Sequence, residues 1–378
     1  LLPDGVEEVL PERARAIEQL RRRALDLYQS WGYELVYPPL IEFLESLLNG
    51  AGRDLERDTF KITDQLSGRL MGVRADMTPQ VARIDAHSLR RNAPTRLCYC
   101  STALRARPTQ VGGTRLPYQL GVELFGHAGG DSDLEVILLM GETLALAGAR
   151  LLREPALIET ANDKVVLDLG HVGIFRALVD ACDLDAAAQA KLEDIYLRKA
   201  STELNRFLDG QALPKAAARA LAALPFLDGD TGVFAQARSL LAEFPYATEA
   251  LADLERLVSV LAERGLDVHL DLGELRGYHY HTGCVFAAYL PGDSEPLAKG
   301  GRYDHIGEVF GRARPATGFS ADLKKLASLA PVPRAGAVLA RGELADAGFA
   351  ARVAELRARG ERVVLALAGA DNDPAELG

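Results

Sequence analysis

Leu104-Arg105-Ala106-Arg107-Pro108, then Arg115, then Gln119-Leu120-Gly121-Val122-Glu123-Leu124-Phe125-Gly126: on this stretch the reading of the chain turns. On a strand, residues four apart face the same way, so Gln119 and Glu123 point to one surface, with Gly121 between them leaving the floor open. A carboxylate beside a carboxamide can receive an ammonium or an imidazole N–H, which suits a small polar ligand. Taken alone, the spacing suits a solvated outer strand face better. Just upstream, Arg96–Leu104 is also strand-like, so it and Leu116–Gly126 read as antiparallel strands joined by a long loop carrying Pro108, Gly112 and Gly113.

Toward the N-terminus, Ala16, Ile17, Leu20, Ala24, Leu27 and Tyr28 recur at helical spacing over residues 11–31, with Pro11 at the start and Gly32 past the end. Tyr33 to Pro39 reads as a strand running into Tyr37-Pro38-Pro39, whose prolines forbid further helix and suggest an edge or an interface. Phe60 to Val73 reads as a hairpin with its turn at Asp64–Gly68. Downstream, Asp131–Leu152 is helical, Pro155 marks a break and Ala156–Leu167 is strand-like. Residues 171–265 are rich in Ala and Leu, with helical periodicity interrupted at Pro214, Pro225 and Pro245 and almost no strand signal. Val268–Leu272 and Tyr278–Tyr289 return to strands, Gly300–Gly301 reads as a turn and Phe319–Leu329 as a helix. Ala335–Leu339, Ala345–Arg359 and Val363–Leu367 form a strand, helix, strand unit, expected as a small parallel pair.

The expected fold class is therefore α+β, an antiparallel sheet flanked by helices. Residues 1–170 and 266–330 form its two parts, 171–265 a helical insertion and 331–378 a small α/β unit. The 378 residues, 48% hydrophobic, are enough for a sizeable core. Lys and Arg total 43 against 53 Asp and Glu, a net charge of -10 that gives no overall field for capturing a polyanion. Cys98, Cys100, Cys182 and Cys284 lack the paired spacing of structural zinc sites; Cys98 and Cys100 read as small buried residues in a reducing cytoplasm. No run of 18 apolar residues appears and no leader pattern opens the chain, so neither export nor membrane spanning is expected.

Two further segments carry chemistry. In Leu275-Arg276-Gly277-Tyr278-His279-Tyr280-His281-Thr282-Gly283, strand alternation would put Arg276, Tyr278 and Tyr280 on one face and His279 and His281 on the other. His269 with those two histidines lacks the cysteine or carboxylates of a full ligand set, so no metal is expected. Gly300-Gly301-Arg302-Tyr303-Asp304 permits a tight turn and close backbone approach to a ligand.

In order and content these segments resemble the catalytic domain of histidyl-tRNA synthetase, a class II aminoacyl-tRNA synthetase. Tyr37-Pro38-Pro39 looks like motif 1, Leu104 to Glu123 like motif 2, and Pro315-Ala316-Thr317-Gly318-Phe319 leads into motif 3. The Arg276 and Gly300 segments resemble the family's two histidine-specific signatures. The resemblance covers roughly residues 1–330 and implies a six-stranded antiparallel sheet and a homodimer. It also implies a histidine pocket. Asp76, Thr78 and Gln119 would hold the α-amino group, Glu123 the imidazole N–H and Arg276 the carboxylate. His281 replaces a tyrosine at the second imidazole nitrogen, and Tyr303 is kept.

The nucleotide side departs from the family. Arg105 matches the motif 2 arginine and is the residue at which phosphate contact could survive, but Arg107 stands at the family's glutamate. In motif 3, Asp322-Leu323-Lys324-Lys325 replaces Gly-x-Glu-Arg. Asp322 is expected to repel phosphate, Lys324 reverses a charge and Lys325 lacks the planar fork of arginine. Residues 331–378 are too few for the family's anticodon-binding domain. A kept amino-acid pocket on a disabled synthetase body resembles the regulatory-subunit family of ATP phosphoribosyltransferase. That resemblance implies a non-catalytic chain that partners the short-form catalytic subunit and itself, and that binds L-histidine for feedback inhibition of histidine biosynthesis. It implies no cofactor, no membrane and no tRNA. An active histidyl-tRNA synthetase and a stand-alone histidine-binding pseudo-synthetase are the alternatives.

Overall fold

The computed structural model describes residues 1–48, 53–108, 113–151, 165–330 and 336–367. The chain forms two compact units, Leu1–Ala330 and Pro331–Gly378. The helix Pro11–Ser30 buries Ala16, Ile17, Leu20, Ala24 and Tyr28, and the positive φ of Gly32 turns the chain after it. Strand β1 (Glu34–Leu35) follows at a sheet edge. A small antiparallel sheet then joins β2 (Ile41–Phe43), β3 (Phe60–Thr63) and β4 (Leu70–Val73), with β4 in the middle. Next come β5 (Thr95–Thr102), β6 (Tyr118–Phe125), β7 (Val166–His171), β8 (Asp228–Gly229), β9 (Val268–Asp271), β10 (Cys284–Tyr289), β11 (Ala298–Arg302) and β12 (Ala316–Asp322).

With β1, these make a nine-stranded sheet in the order β1-β5-β6-β12-β11-β10-β7-β9-β8. The run from β5 to β7 is six strands, antiparallel throughout; β1 adds in parallel at one end, and at the other β9 adds in parallel to β7 and β8 closes the edge antiparallel to β9. One face carries Cys98, Cys100, Leu120, Val122, Leu124, Phe286 and Phe319 into a core shared with the helices Pro11–Ser30, Gly130–Leu146, Val172–Asp180 and Pro245–Glu263. The other face carries Leu97, Tyr99, Glu123 and Phe125, and is covered in part by Met77, Val81, Tyr303 and Ile306. Burial pushes the Cys98 and Cys100 thiols up to about 12, so both act as small apolar groups.

Two buried ion pairs tie the sheet to its loops. Arg314 Nη1 donates to Asp85 Oδ1 at 2.8 Å and to Oδ2 at 3.1 Å. Arg302 reaches Asp133 Oδ2 at 3.0 Å, Ser132 Oγ at 2.8 Å and the Gly129 carbonyl at 3.1 Å, which holds β11 on the start of the helix Gly130–Leu146. Arg74 is buried, and among the described residues no carboxylate pairs with it. It donates to the carbonyls of Pro38 at 2.5 Å and Thr102 at 2.9 Å, and so joins the Tyr37-Pro38-Pro39 segment to the end of β5.

Several expectations need correction. The stretch from Arg276 to His281 is not strand: Gly277 has φ +70, and the amides of Tyr280 and His281 both donate to its carbonyl. The turn breaks the assumed alternation, since a residue with positive φ cannot continue a pleat. Gly300 and Gly301 are not a turn but the middle of β11, paired with Phe319 and Gly318. The segment from Phe319 to Asp322 completes β12, and the helix that follows spans only Leu323–Ala327. Helix covers most of 172–263, interrupted by the short strand β8. The helix begun at Gly130 stops at Leu146, where Gly148 takes φ +88. The strand expected at 156–167 lies outside the described residues except for its end, which enters β7.

In the smaller unit, β13 (Val338–Ala340) and β14 (Val363–Leu365) pair in parallel, joined by the helix Ala347–Ala358. Asp346 caps that helix, accepting from the amides of Gly348 at 2.7 Å and Phe349 at 3.0 Å.

Candidate functional site

The strand register gathers the candidate residues on one face. Glu123 pairs with Gly318, which pairs with Gly301; two residues along, Gly121 pairs with Ser320, which pairs with Lys299. Period-two alternation therefore puts Gln119, Glu123, Lys299 and three glycines on a common floor. The glycines do not leave that floor open. A Cβ at Gly121 would lie 2.5 Å from the Tyr99 hydroxyl, one at Gly318 would lie 1.7 Å from Glu123 Oε2, and one at Gly301 would lie 2.8 Å from His281 Cδ2. Each missing side chain admits a polar group into the plane where a methyl would stand. The solvated-face reading of Gln119 and Glu123 fails, because they are only 4% and 1% exposed.

Glu123 is the centre. Tyr99 Oη donates to its Oε1 at 3.0 Å, and Tyr303 donates to Oε2. Burial pushes the carboxyl up to about 8, although both tyrosines and Thr78 pull the other way, so around neutral pH it holds a proton readily. The Tyr280 ring lies 5.0 Å from that of Tyr303 and 5.3 Å from that of His281, and the Tyr280 hydroxyl is buried without a hydrogen-bond partner among the described residues. Burial brings His281 down to about 4, so it is a neutral imidazole able to donate or accept.

Beside this lies a second polar corner. Asp76 Oδ1 accepts from the Thr78 amide at 2.9 Å and from Gln119 Nε2 at 3.0 Å, while Gln119 Oε1 accepts from the Met77 amide at 3.1 Å. Gln119 and the Thr78 amide therefore fix Asp76 through its Oδ1. Thr78 Oγ1 lies 3.2 Å from Tyr99 Oη and links the two corners.

Arg276 is placed differently. Its Nε donates to Glu274 Oε2 at 2.6 Å and its Nη2 to Asp168 Oδ2 at 3.1 Å, with the guanidinium 5.3 Å from the centroid of the Tyr289 ring. Two carboxylates already neutralise it. His269 Nδ1 lies 3.0 Å from Asp168, and His279 Nε2 lies 2.9 Å from Glu193. Among the described residues no three His, Cys, Asp or Glu side chains converge as a metal-binding group.

The altered motif 3 residues are also engaged. Asp322 caps its helix, accepting from the Lys324 amide at 3.0 Å and the Tyr118 amide at 3.1 Å, and burial raises its pKa. It acts as a helix cap. Lys325 donates to the Glu295 carbonyl at 2.7 Å and pairs with Asp293 at 2.8 Å, and Lys324 reaches Glu7 at 3.5 Å. Arg105 is half-buried, and its charge is felt by Asp322 and Lys299.

Tyr99, Tyr280 and Lys299 join the site without having been singled out from sequence. Tyr99 could have been found as the cross-strand partner of Gly121, and Tyr280 from the signature that contains it. Lys299 immediately precedes the Gly300 signature, but its direction depends on β11 being a strand.

Comparison with known proteins agrees with this arrangement. The histidyl-tRNA synthetase family model matches residues 5–326, and a model of the ATP phosphoribosyltransferase subunit HisZ C-terminal domain matches 335–378. An ATP phosphoribosyltransferase regulatory subunit from Thioalkalivibrio sulfidiphilus is 52% identical over 385 residues, covering 100% of this chain and 94% of its own. Another from Chromohalobacter salexigens is 52% identical, covering 100% and 93%. A crystal structure of an ATP phosphoribosyltransferase regulatory subunit/histidyl-tRNA synthetase from Bacillus halodurans is similar at TM-score 0.84 and 30% identity, covering 100% of this chain and 95% of that one. Histidyl-tRNA synthetase from Nostoc shares the fold at TM-score 0.77 and 18% identity, over 100% of this chain and 88% of its own. With an antiparallel sheet of this order, buried polar residues gathered on one face and relatives 52% identical over 93–94% of their own length, the chain belongs to the ATP phosphoribosyltransferase regulatory subunit family.

Proposed function

We propose that the chain is a non-catalytic histidine sensor, needed for activity of the short-form ATP phosphoribosyltransferase catalytic subunit and carrying feedback inhibition to it. The observation that supports this best is the contrast within one cleft. Asp76 and Glu123 are each fixed by hydrogen bonds and linked through Thr78 and Tyr99, whereas Lys325, at the position of the motif 3 arginine, is tied to Glu295 and Asp293. An amino acid would put its ammonium on Asp76 and its imidazole between Glu123 and His281. A buried acid poised near neutrality beside a neutral imidazole favours a guest that is itself a weak base.

The partner surface is argued from exposure. Tyr37, Leu40 and Ile41 are 71%, 50% and 44% exposed at the motif 1 segment, an apolar patch suited to a second copy of the chain. The catalytic subunit comes from the regulatory name of the relatives, and a cytoplasmic location from their biosynthetic role. Among the described residues no helix is long and apolar enough to cross a membrane.

The test is to assay the short catalytic subunit from the same genome with and without this chain, titrating histidine into both mixtures. Activation that histidine reverses, and that Glu123→Ala no longer allows histidine to reverse, supports the reading. No effect on rate or inhibition removes it, and histidine-dependent ATP–pyrophosphate exchange would then favour an active synthetase.

A further inference from the structure

Arg276 is the residue that resemblance assigns to the ligand carboxylate, yet its guanidinium already lies against Glu274 and Asp168. A third carboxylate brought to that cluster would meet more negative than positive charge. Another cation faces the same cleft. Lys299 stands on the site side of β11, between Ala287 of β10 and Ser320 of β12, whose short side chains let it project. Among the described residues no hydrogen bond or ion pair engages the side chain of Lys299 or of Arg105.

The register of β11 puts Lys299 on the face that carries Glu123 and Gln119. Its charge is felt at His281, and it feels Arg105, Asp76, Glu295 and Arg276. Its side chain is solvent-accessible, while the surrounding protein lowers its pKa by desolvation. Arg105 adds to the depression, and Asp76 and Glu295 act against it, so two like charges share this part of the site. An anion placed between them relieves that repulsion.

We propose that Lys299, reinforced by Arg105, receives the α-carboxylate of the bound amino acid, and that Arg276 instead braces the pocket wall through Glu274 and Asp168. This rests on the histidine reading given above. The chemistry of an α-amino acid supports it, because one carbon carries both ammonium and carboxylate. A ligand whose ammonium sits on Asp76 must place its carboxylate within a few ångström of that residue. Among the described residues, Lys299 is a cation without a hydrogen bond or ion pair whose charge reaches both Asp76 and His281.

The experiment compares L-histidine with L-histidinol, which keeps the ammonium and imidazole but lacks the carboxylate, by calorimetric titration of the full chain. Wild type should prefer histidine about ten- to a hundredfold, the range for one hydrogen bond between charged groups. In Lys299→Met, histidine affinity should fall by that factor while histidinol affinity stays, so the preference disappears; Lys299→Arg should restore most of it. Unchanged thermal unfolding of both variants without ligand would separate the effect from misfolding. If Lys299→Met keeps the preference and Arg276→Met abolishes it, the carboxylate belongs to Arg276 and the assignment is overturned. If wild type binds neither compound, the histidine reading fails and takes this assignment with it. Binding of histidine and histidinol with equal affinity by wild type leaves the histidine reading standing and overturns the carboxylate site alone.

Discussion

Tyr303 donates its hydroxyl to Glu123 at the centre of the sheet, and each of the two is almost wholly buried. The contact joins the segment after β11 to β6 and pulls the Glu123 pKa down, but burial outweighs it and raises the carboxyl from the ordinary glutamate value to about 8. In the unfolded chain the group titrates near its ordinary value. Between those two values the folded chain holds a proton that the unfolded chain has lost. Stability from this group is therefore fully present below the unfolded pKa and is lost as pH rises through about 8, by up to about 1.4 kcal/mol per pH unit. Urea unfolding at pH 5.5, 6.5 and 8 should show this decline in the wild type and a flatter profile in Glu123→Gln. Parallel profiles would mean that Glu123 is ionised in the folded protein.

Breaking the Arg314–Asp85 pair should be costly. Both side chains are buried, and Arg314→Met would strand Asp85 without its guanidinium. A loss of about 3–5 kcal/mol is expected in urea unfolding. The double variant Arg314→Met with Asp85→Leu should recover part of it, since no uncompensated charge remains.

A methyl at position 318 has nowhere to go. Its Cβ would lie 1.7 Å from Glu123 Oε2 and 2.5 Å from the Val122 carbonyl. Gly318→Ala should lower stability by about 1–3 kcal/mol, as overpacking in a dense interior does, and should abolish the histidine response by displacing Glu123. Thermal unfolding gives the first quantity and inhibition assays the second. At Gly121 the obstacle is the end of the Tyr99 side chain together with the Phe319 carbonyl at 2.6 Å, so Gly121→Ala should also disturb the site.

In the smaller unit, Asp346→Ala removes the cap on the helix Ala347–Ala358. A local loss of about 1 kcal/mol is expected. Hydrogen exchange should speed up at the first amides of that helix, with no change along the main sheet; a change at Gly348 and Phe349 no larger than elsewhere would show that the cap contributes nothing.

The legible parts of the fold are those governed by local periodicity. The helix Pro11–Ser30, the hairpin of β3 and β4 and the pairing of β5 with β6 follow from apolar spacing and turn residues close in sequence. The misread parts are those where tertiary contact overrides local chemistry. Gly300-Gly301 looks like a turn because glycine is permissive, but both positions are glycine because Phe286, Gly318 and His281 press against β11 from either face. Arg276 to His281 looks like strand because aromatics alternate there, yet Gly277 turns the chain so that Tyr280 and His281 meet Tyr303 and Gly301. In the same way, residue types and their order brought Asp76, Gln119, Glu123, His281 and Tyr303 to attention. The engagement of Arg276 by Asp168 and of Lys325 by Asp293 depends on long-range geometry that no spacing encodes.

The order of the strands also sets when the pocket can come into being. Strand β6 pairs with β12, and between them in sequence lie all the helices from Gly130 to Glu263. Asp76, Gln119 and Glu123 leave the ribosome early, whereas Lys299, Tyr303 and the glycine of β12 that faces Glu123 arrive late. The polar floor therefore cannot be assembled in a growing chain until residue 322 has emerged and a distant pairing has closed, the slow kind of step in sheet formation.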